Sequence, residues 1–282
     1  MSDRPQSPAE GAARPTPVAL VEGIREAASV IVLRRDMGPA PRVLMGRRGA
    51  RAAFMASKMV FPGGALDTAD LEAAATLAVP ERLTRLLGAR PAGMAAPAAD
   101  PALGAGLALA ALRELAEETG LAPRPPAPGP GTGPGTGTDP GTGTDPGTGS
   151  ATARPLPPAW ARHVDRHGAP TAEGLDMVFR AVTPPGRPRR FDARFVTLDA
   201  ACLAEPDDFS GADGELADLS WLTLEEAAAE DLPFVTTLVL AEIAVRLENP
   251  DPARPIPFFH HDGTRSMLDP LLTPGDGVAD IP

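Results

Sequence analysis

The hydrophobic pattern begins at Ala27, where an apolar run to Arg34 predicts a strand. Arg42 to Arg47 predicts a second, and Met37-Gly38-Pro39-Ala40-Pro41 between them reads as the turn of a hairpin. Met59 to Phe61 is strand-like and runs into a turn at Pro62-Gly63-Gly64. Leu71 to Leu87 reads as helix. Asp100-Pro101 places an N-cap before a proline at the first helical position. From there the spacing predicts a helix to Thr119, stopped by Gly120, with Leu107, Ala111 and Leu115 as its buried stripe. Gly104 and Gly106 weaken its first turns and point to a later start. Asp176 to Thr183 and Arg190 to Leu198 predict two strands joined by the turn Thr183 to Pro188. Leu219 to Leu222 is a short strand, and Thr223 caps a helix over Leu224 to Ala229. A last helix opens at Asp231 or Leu232 and ends at Leu247, turning Phe234, Leu238, Ala241 and Val245 to the core. By itself this order gives an α/β or α+β fold.

Not all of the 282 residues can pack. Residues 123 to 158 are built from Pro-Gly-Thr-Gly repeats with interspersed Asp, and offer no apolar face to offset the entropy of ordering them. They read as a disordered linker loop. Residues 1 to 22 and 251 to 282 read as tails, leaving a single domain over 23 to 250 with one sizeable core.

The net charge is −11 and no basic stripe is present, which argues against tight binding of long nucleic acid. Cys202 is the only cysteine, so no intrachain disulfide can form, and a cytoplasmic location fits. The N-terminal residues lack the apolar core of a secretory signal, and no apolar run is long enough to span a membrane.

The candidate chemistry lies in Arg113-Glu114-Leu115-Ala116-Glu117-Glu118-Thr119-Gly120-Leu121. Glu114 stands three and four residues before Glu117 and Glu118, so the carboxylates share one helix face. Like charges at those spacings repel. A hard divalent cation, which takes carboxylate oxygens, would relieve the repulsion; a solvated acidic helix end is the plainer alternative.

Joined to the glycine turn, this segment resembles the Nudix box: Gly, five residues, Glu, seven residues, then Arg-Glu-apolar-x-Glu-Glu-x-Gly-apolar. Gly64 matches the first glycine, Asp70 stands at the next acidic position in place of Glu, and Arg113 to Leu121 match the remainder. The arginine would fall at position 78 in an uninterrupted box, so 35 extra residues split it, and residues 71 to 105 read as the insertion. Phe54 to Asp67 also resembles a subgroup with such a split box, which includes acyl-coenzyme A diphosphatases. The resemblance implies an α/β/α sandwich with a mixed sheet and a metal-dependent hydrolase of diphosphate linkages in small molecules. It implies Mg²⁺ or Mn²⁺ held by Glu114, Glu117 and Glu118, with the carbonyl of Gly63 completing the site. Arg113 is then structural, pairing with Asp70. The best-matching substrate class is coenzyme A or acyl-CoA. Nucleotide-sugar or dinucleotide diphosphatases and a non-catalytic Nudix-like sensor are the alternatives, although sensors commonly lose box glutamates that this chain keeps.

Further candidates are weaker. Glu215, just before the strand that contains Trp221, resembles a remote Nudix acid and is read as an extra ligand or general base, against an exposed loop glutamate. Arg47, Arg48 and Arg51 suit substrate phosphates. Arg187, Arg189 and Arg190 either grip substrate phosphates or, the plainer reading, form a solvated turn; Asp67 reads as turn solvation and Trp221 as a core anchor. His163 and His167, four apart, and His260-His261 read as solvated rather than as metal ligands. The insertion's Leu71, Leu77, Leu83, Leu86 and Leu87 either meet an acyl or pantetheine arm or pack on the sheet. A homodimer is compatible with the sequence, which does not fix the oligomeric state.

Overall fold

The structure is a computed structural model and describes residues 23–50, 55–89, 99–123 and 156–271. The Pro/Gly/Thr-rich loop, save its ends, and the first 22 residues lie outside that range. In chain order the strands are β1 (Ile24–Arg34), β2 (Arg42–Arg48), β3 (Met59–Val60) and β4 (Gly63–Ala65). The helices α1 (Thr68–Ala73), α2 (Glu81–Leu87), α3 (Pro101–Thr119) and α4 (Pro158–His167) follow. Then come β5 (Asp176–Val182), β6 (Arg190–Asp199), β7 (Leu216–Thr223), α5 (Leu224–Ala228), α6 (Phe234–Glu248), β8 (Pro257–His261) and β9 (Ser266–Pro270).

One mixed sheet runs in the order β3-β2-β1-β6-β5-β8-β9, with β4 also on β1 and β7 also on β2. β1 and β6 are parallel from Ile24↔Arg190 to Leu33↔Asp199, and β5 and β8 are parallel; the other pairs are antiparallel. β1 is central and buried on both faces, because its side chains alternate between two cores. Ala28, Val30 and Val32 join the core under α1, α2, α3 and α4, whereas Ile31 and Leu33 join the core under α5 and α6. The result is the expected α/β/α sandwich.

α3 starts at the Asp100-Pro101 signal and ends at Gly120. Asp100 accepts from Leu103 N at 3.1 Å, Pro101 opens the first turn, and Gly120 closes the helix at φ 78°. Leu107, Ala111 and Leu115 are fully buried. The two helix glycines do not delay its start. A Cβ at Gly104 would lie 2.7 Å from the carbonyl carbon of Thr84 on α2, and one at Gly106 would lie 2.6 Å from Leu71. They let two neighbouring helices approach.

Other expectations are corrected. The helix over Leu71 to Leu87 is two helices, α1 and α2, with Pro80 at the N-cap of the second. α6 starts at Phe234 and buries Thr236, Val239, Leu240 and Ile243, leaving Phe234 and Ala241 exposed. That helix is apolar on most of its circumference, so spacing could not choose its face. Residues 257–261 and 266–270 are not tail. They form a hairpin whose first strand continues the sheet beside β5, with Phe258 and Phe259 reaching opposite cores.

The insertion helix α2 packs inward. Leu83 and Leu87 are core residues, so packing on the sheet is the role the structure gives them. Two fully buried sheet arginines bind carbonyls at and just past its C-terminus: Arg194 Nε donates to Leu87 O at 3.1 Å and Arg180 Nη1 to Ala89 O, two residues beyond the helix, at 2.6 Å. Their charges meet Asp192, which takes Arg180 at 2.9 and 2.6 Å, and Glu26, which takes Arg194. Among the described residues no helix is long and apolar enough to cross a membrane.

Candidate metal site

Asp67 N-caps α1. Its side chain accepts from Ala69 N at 2.8 Å, while Asp70 accepts from Asp67 N at 3.0 Å, giving a reciprocal capping box. Asp67 is therefore buried and structural rather than solvated, and burial pushes its pKa up. The cap fixes Asp70, which is fully buried.

Arg113, 43 residues away along the chain, grips Asp70 with two parallel bonds, Nε to Oδ1 and Nη2 to Oδ2, each 2.9 Å. Bidentate, charge-assisted pairs of this kind are strong and directional. The expected pairing thus forms across the insertion. Nη2 also reaches Ala65 O at 3.2 Å, and Nη1 donates to Glu114 Oε1 and Glu117 Oε2, both at 2.9 Å. Burial works against the guanidinium charge, but Asp70, Glu114 and Glu117 outweigh it and hold the pKa above its ordinary value.

The glycine turn meets the same helix. Gly63 N donates to Glu118 Oε2 at 2.8 Å, and β4 places Gly64 opposite Ala28 of β1. A Cβ at Gly64 would stand 2.7 Å from Glu114 Oε2, so any side chain there would displace that carboxylate from its present position. Burial raises the Glu114 pKa to about 7, Arg113 opposing and Glu117 adding to the rise. Burial, then the Glu114 charge, pushes Glu118 well above its ordinary value against the pull of Gly63 N–H and Arg48. Glu117 is the most open of the three, with its carboxylate partly in solvent, and partial desolvation still shifts its pKa upward in the same sense, Arg113 opposing.

Glu215 accepts from Arg48 Nη2 at 2.7 Å, and both charges act on Glu118, so the structure brings all three into one electrostatic neighbourhood. Asp213 N donates to Glu117 O at 2.8 Å and ties the segment carrying Glu215 to α3. Arg47 is engaged by Glu230 at 2.8 Å and Ser57 O at 3.1 Å. Arg51 lies outside the described residues. Arg187 and Arg189 sit in an exposed turn, and Trp221 is a core residue with Arg34 stacked over its ring.

The histidines depart from expectation. His163 is buried against Trp160, ring centroids 4.8 Å apart, and burial lowers its pKa to about 4. His260 lies in β8 and contacts Asp269 at 2.8 Å. Sequence reading also passed over Trp160, which is fully buried and donates from Nε1 to Asp70 Oδ1 at 3.0 Å. No local pattern signals that contact, because the partners are 90 residues apart.

The donor set fits a hard divalent cation. Glu114 Oε2, Glu117 Oε1 and Glu118 Oε1 stand outside the contacts with Arg113 and Gly63. Among the described residues no three acidic, histidine or cysteine side chains are already gathered into a ligand cluster, so binding would require side-chain rotation. A cavity of about 450 Å³ beside Arg34, Arg35 and Asp199 and one of about 190 Å³ beside Arg166, His167 and Asp208 are lined by none of the three glutamates.

The chain matches no protein-family model and no curated protein. Among solved structures it is similar to a NUDIX hydrolase from Alicyclobacillus acidocaldarius, with 29% identity, 78% of this chain and 91% of that chain covered, and a TM-score of 0.48. A C. elegans Ap4A hydrolase binary complex is 14% identical, with coverages of 79% and 98% and a TM-score of 0.37. A MutT NUDIX hydrolase from Burkholderia pseudomallei is 14% identical, with coverages of 78% and 97% and a TM-score of 0.36.

Proposed function

We propose that this chain is a metal-dependent Nudix hydrolase that cleaves a diphosphate linkage in coenzyme A or an acyl-CoA. The observation that carries the reading is the bidentate Arg113–Asp70 pair, which reunites the two halves of the split box around Glu114, Glu117 and Glu118. The choice of coenzyme A rests on the resemblance of Phe54 to Asp67 and on the split itself.

In this reading Glu114, Glu117 and Glu118, with the Gly63 carbonyl, hold Mg²⁺ or Mn²⁺. When bound, the ion supplies charge neutralisation of the diphosphate oxygens and acidifies a water. Arg113 orients Glu114 and Glu117 from below, and the bare Gly64 backbone leaves the space that Glu114 occupies. Glu215, held by Arg48, serves as a further ligand or as the base that takes the water proton. Arg48, beside the glutamates, is the leading contact for substrate phosphates, with Arg47 and Arg51 on the same segment.

A panel of coenzyme A, acyl-CoA esters, nucleotide sugars and dinucleotides, each with Mg²⁺ or Mn²⁺, tests the proposal when products are resolved by mass. The expected products are a phosphopantetheine and adenosine 3′,5′-bisphosphate. Preferential cleavage of a nucleotide sugar or dinucleotide would overturn the substrate assignment. No cleavage of any member with either metal would overturn the hydrolase.

A further inference from the structure

The Asp70 carboxylate accepts four hydrogen bonds. Asp67 N binds Oδ2 at 3.0 Å, Arg113 binds both oxygens at 2.9 Å, and Trp160 Nε1 binds Oδ1 at 3.0 Å. The first three donors belong to the two halves of the box. The fourth comes from α4, on the far side of the Pro/Gly/Thr-rich segment. Trp160 and Asp70 are both fully buried, so this bond forms without competition from water and involves a charged acceptor.

We propose that Trp160 is a positioning residue of the metal site, acting through Asp70 and Arg113 on Glu114 and Glu117. This rests on reading those glutamates as metal ligands. The guanidinium of Arg113 is a rigid plane. One edge of it clamps Asp70, and the remaining Nη1 serves Glu114 and Glu117. A twist of the Asp70 carboxylate therefore turns the donor that sets both glutamates. Two groups besides Arg113 fix that twist, one on each oxygen: Asp67 N–H on Oδ2 and the indole N–H on Oδ1. Without the indole donor, only the Asp67 N–H and the longer Nη2 contact to Ala65 O, 3.2 Å, hold the Asp70–Arg113 pair against the sheet side, and the pair gains freedom to swing. The ring of His163, one turn further along α4, packs on Trp160, and burial holds its pKa down at about 4, so this ring brings no imidazolium charge toward Arg113 near pH 7.

Trp160→Phe removes the N–H and keeps an aromatic ring. The probe is Mn²⁺ alone, titrated into the full chain, with free ion read by electron paramagnetic resonance. Wild type should bind, and the variant should bind about tenfold more weakly, the lower end of what outer-shell partners of metal ligands contribute. Circular dichroism and the melting temperature are read alongside. Asp70→Asn combined with Trp160→Phe should bind no more weakly than Asp70→Asn alone, since both act through one path; a packing defect would add. Equal Mn²⁺ affinity in wild type and Trp160→Phe overturns the positioning role and leaves the metal reading standing. A wild type that binds no Mn²⁺ overturns the metal reading itself. If Trp160→Phe does not fold, the Trp221→Phe chain leaves Trp160 as sole tryptophan. Its emission should then change on saturation with Mg²⁺, and an unchanged spectrum overturns the proposal.

Discussion

Asp70→Asn leaves the Arg113 guanidinium buried with one of its three carboxylate partners, the bidentate one, no longer charged. Losing one member of a buried ion pair costs about 3 kcal/mol or more, and urea unfolding should show a loss of that size. A change below about 1 kcal/mol would mean that Glu114 and Glu117 alone satisfy Arg113. The Asp70–Arg113 pair was legible in the sequence because both residues sit at fixed places in a motif. Trp160 was not, because nothing near it in the chain says what it will touch. His163 was misread for the same reason: it follows a Pro/Gly/Thr-rich stretch yet docks against Trp160. Its folded pKa of about 4 lies below the ordinary 6.5. The unfolded chain therefore binds the proton first, and the stability from the neutral buried ring is present above about pH 6.5 and lost as pH falls toward 4. Wild type should lose about 3 kcal/mol of stability relative to His163→Leu between pH 7.5 and 4. A difference between the two that does not change with pH would show that His163 titrates alike in the folded and unfolded chain.

α3 shows at the scale of an element why some boundaries can be read and some packing cannot. Its ends are set by local chemistry, an Asp-Pro start and a left-handed Gly120 stop, and both are written in the chain. Its glycines looked like weaknesses because propensity is a local quantity, whereas their purpose is the approach of Thr84 and Leu71. Gly104→Ala should therefore destabilise the protein by about 1–3 kcal/mol through overpacking, despite alanine's advantage in a helix. Thermal or urea unfolding decides the sign, and a gain of about 1 kcal/mol would show that α2 does not press on α3 there. Pro80 divides the insertion for a reason also present in the sequence, namely the missing N–H and fixed φ of proline. The face of α6 was beyond reach, since apolar residues surround it and only the sheet beneath selects Val239, Leu240 and Ile243.

For the whole molecule, the order of strands and helices foretold a layered α/β fold, but not the parallel β1–β6 pairing or the closing β8–β9 hairpin. Those depend on contacts across the chain that no local pattern encodes. The hairpin was taken for tail because Pro and Gly surround two short strands. The fold uses its central strand β1 to bring the glycine turn against α3, and the insertion helix is held on the sheet by Arg180 and Arg194 beside it. All of this converges on three carboxylates whose mutual repulsion a divalent cation would relieve. The most direct test compares hydrolysis of coenzyme A by wild type and by the Glu117→Gln, Glu118→Gln double variant, with Mg²⁺ and with excess chelator. Wild type should turn over only with metal, and the double variant should be slower by about two orders of magnitude or more while remaining folded. Full activity of wild type in chelator, or of the double variant with Mg²⁺, would contradict the account.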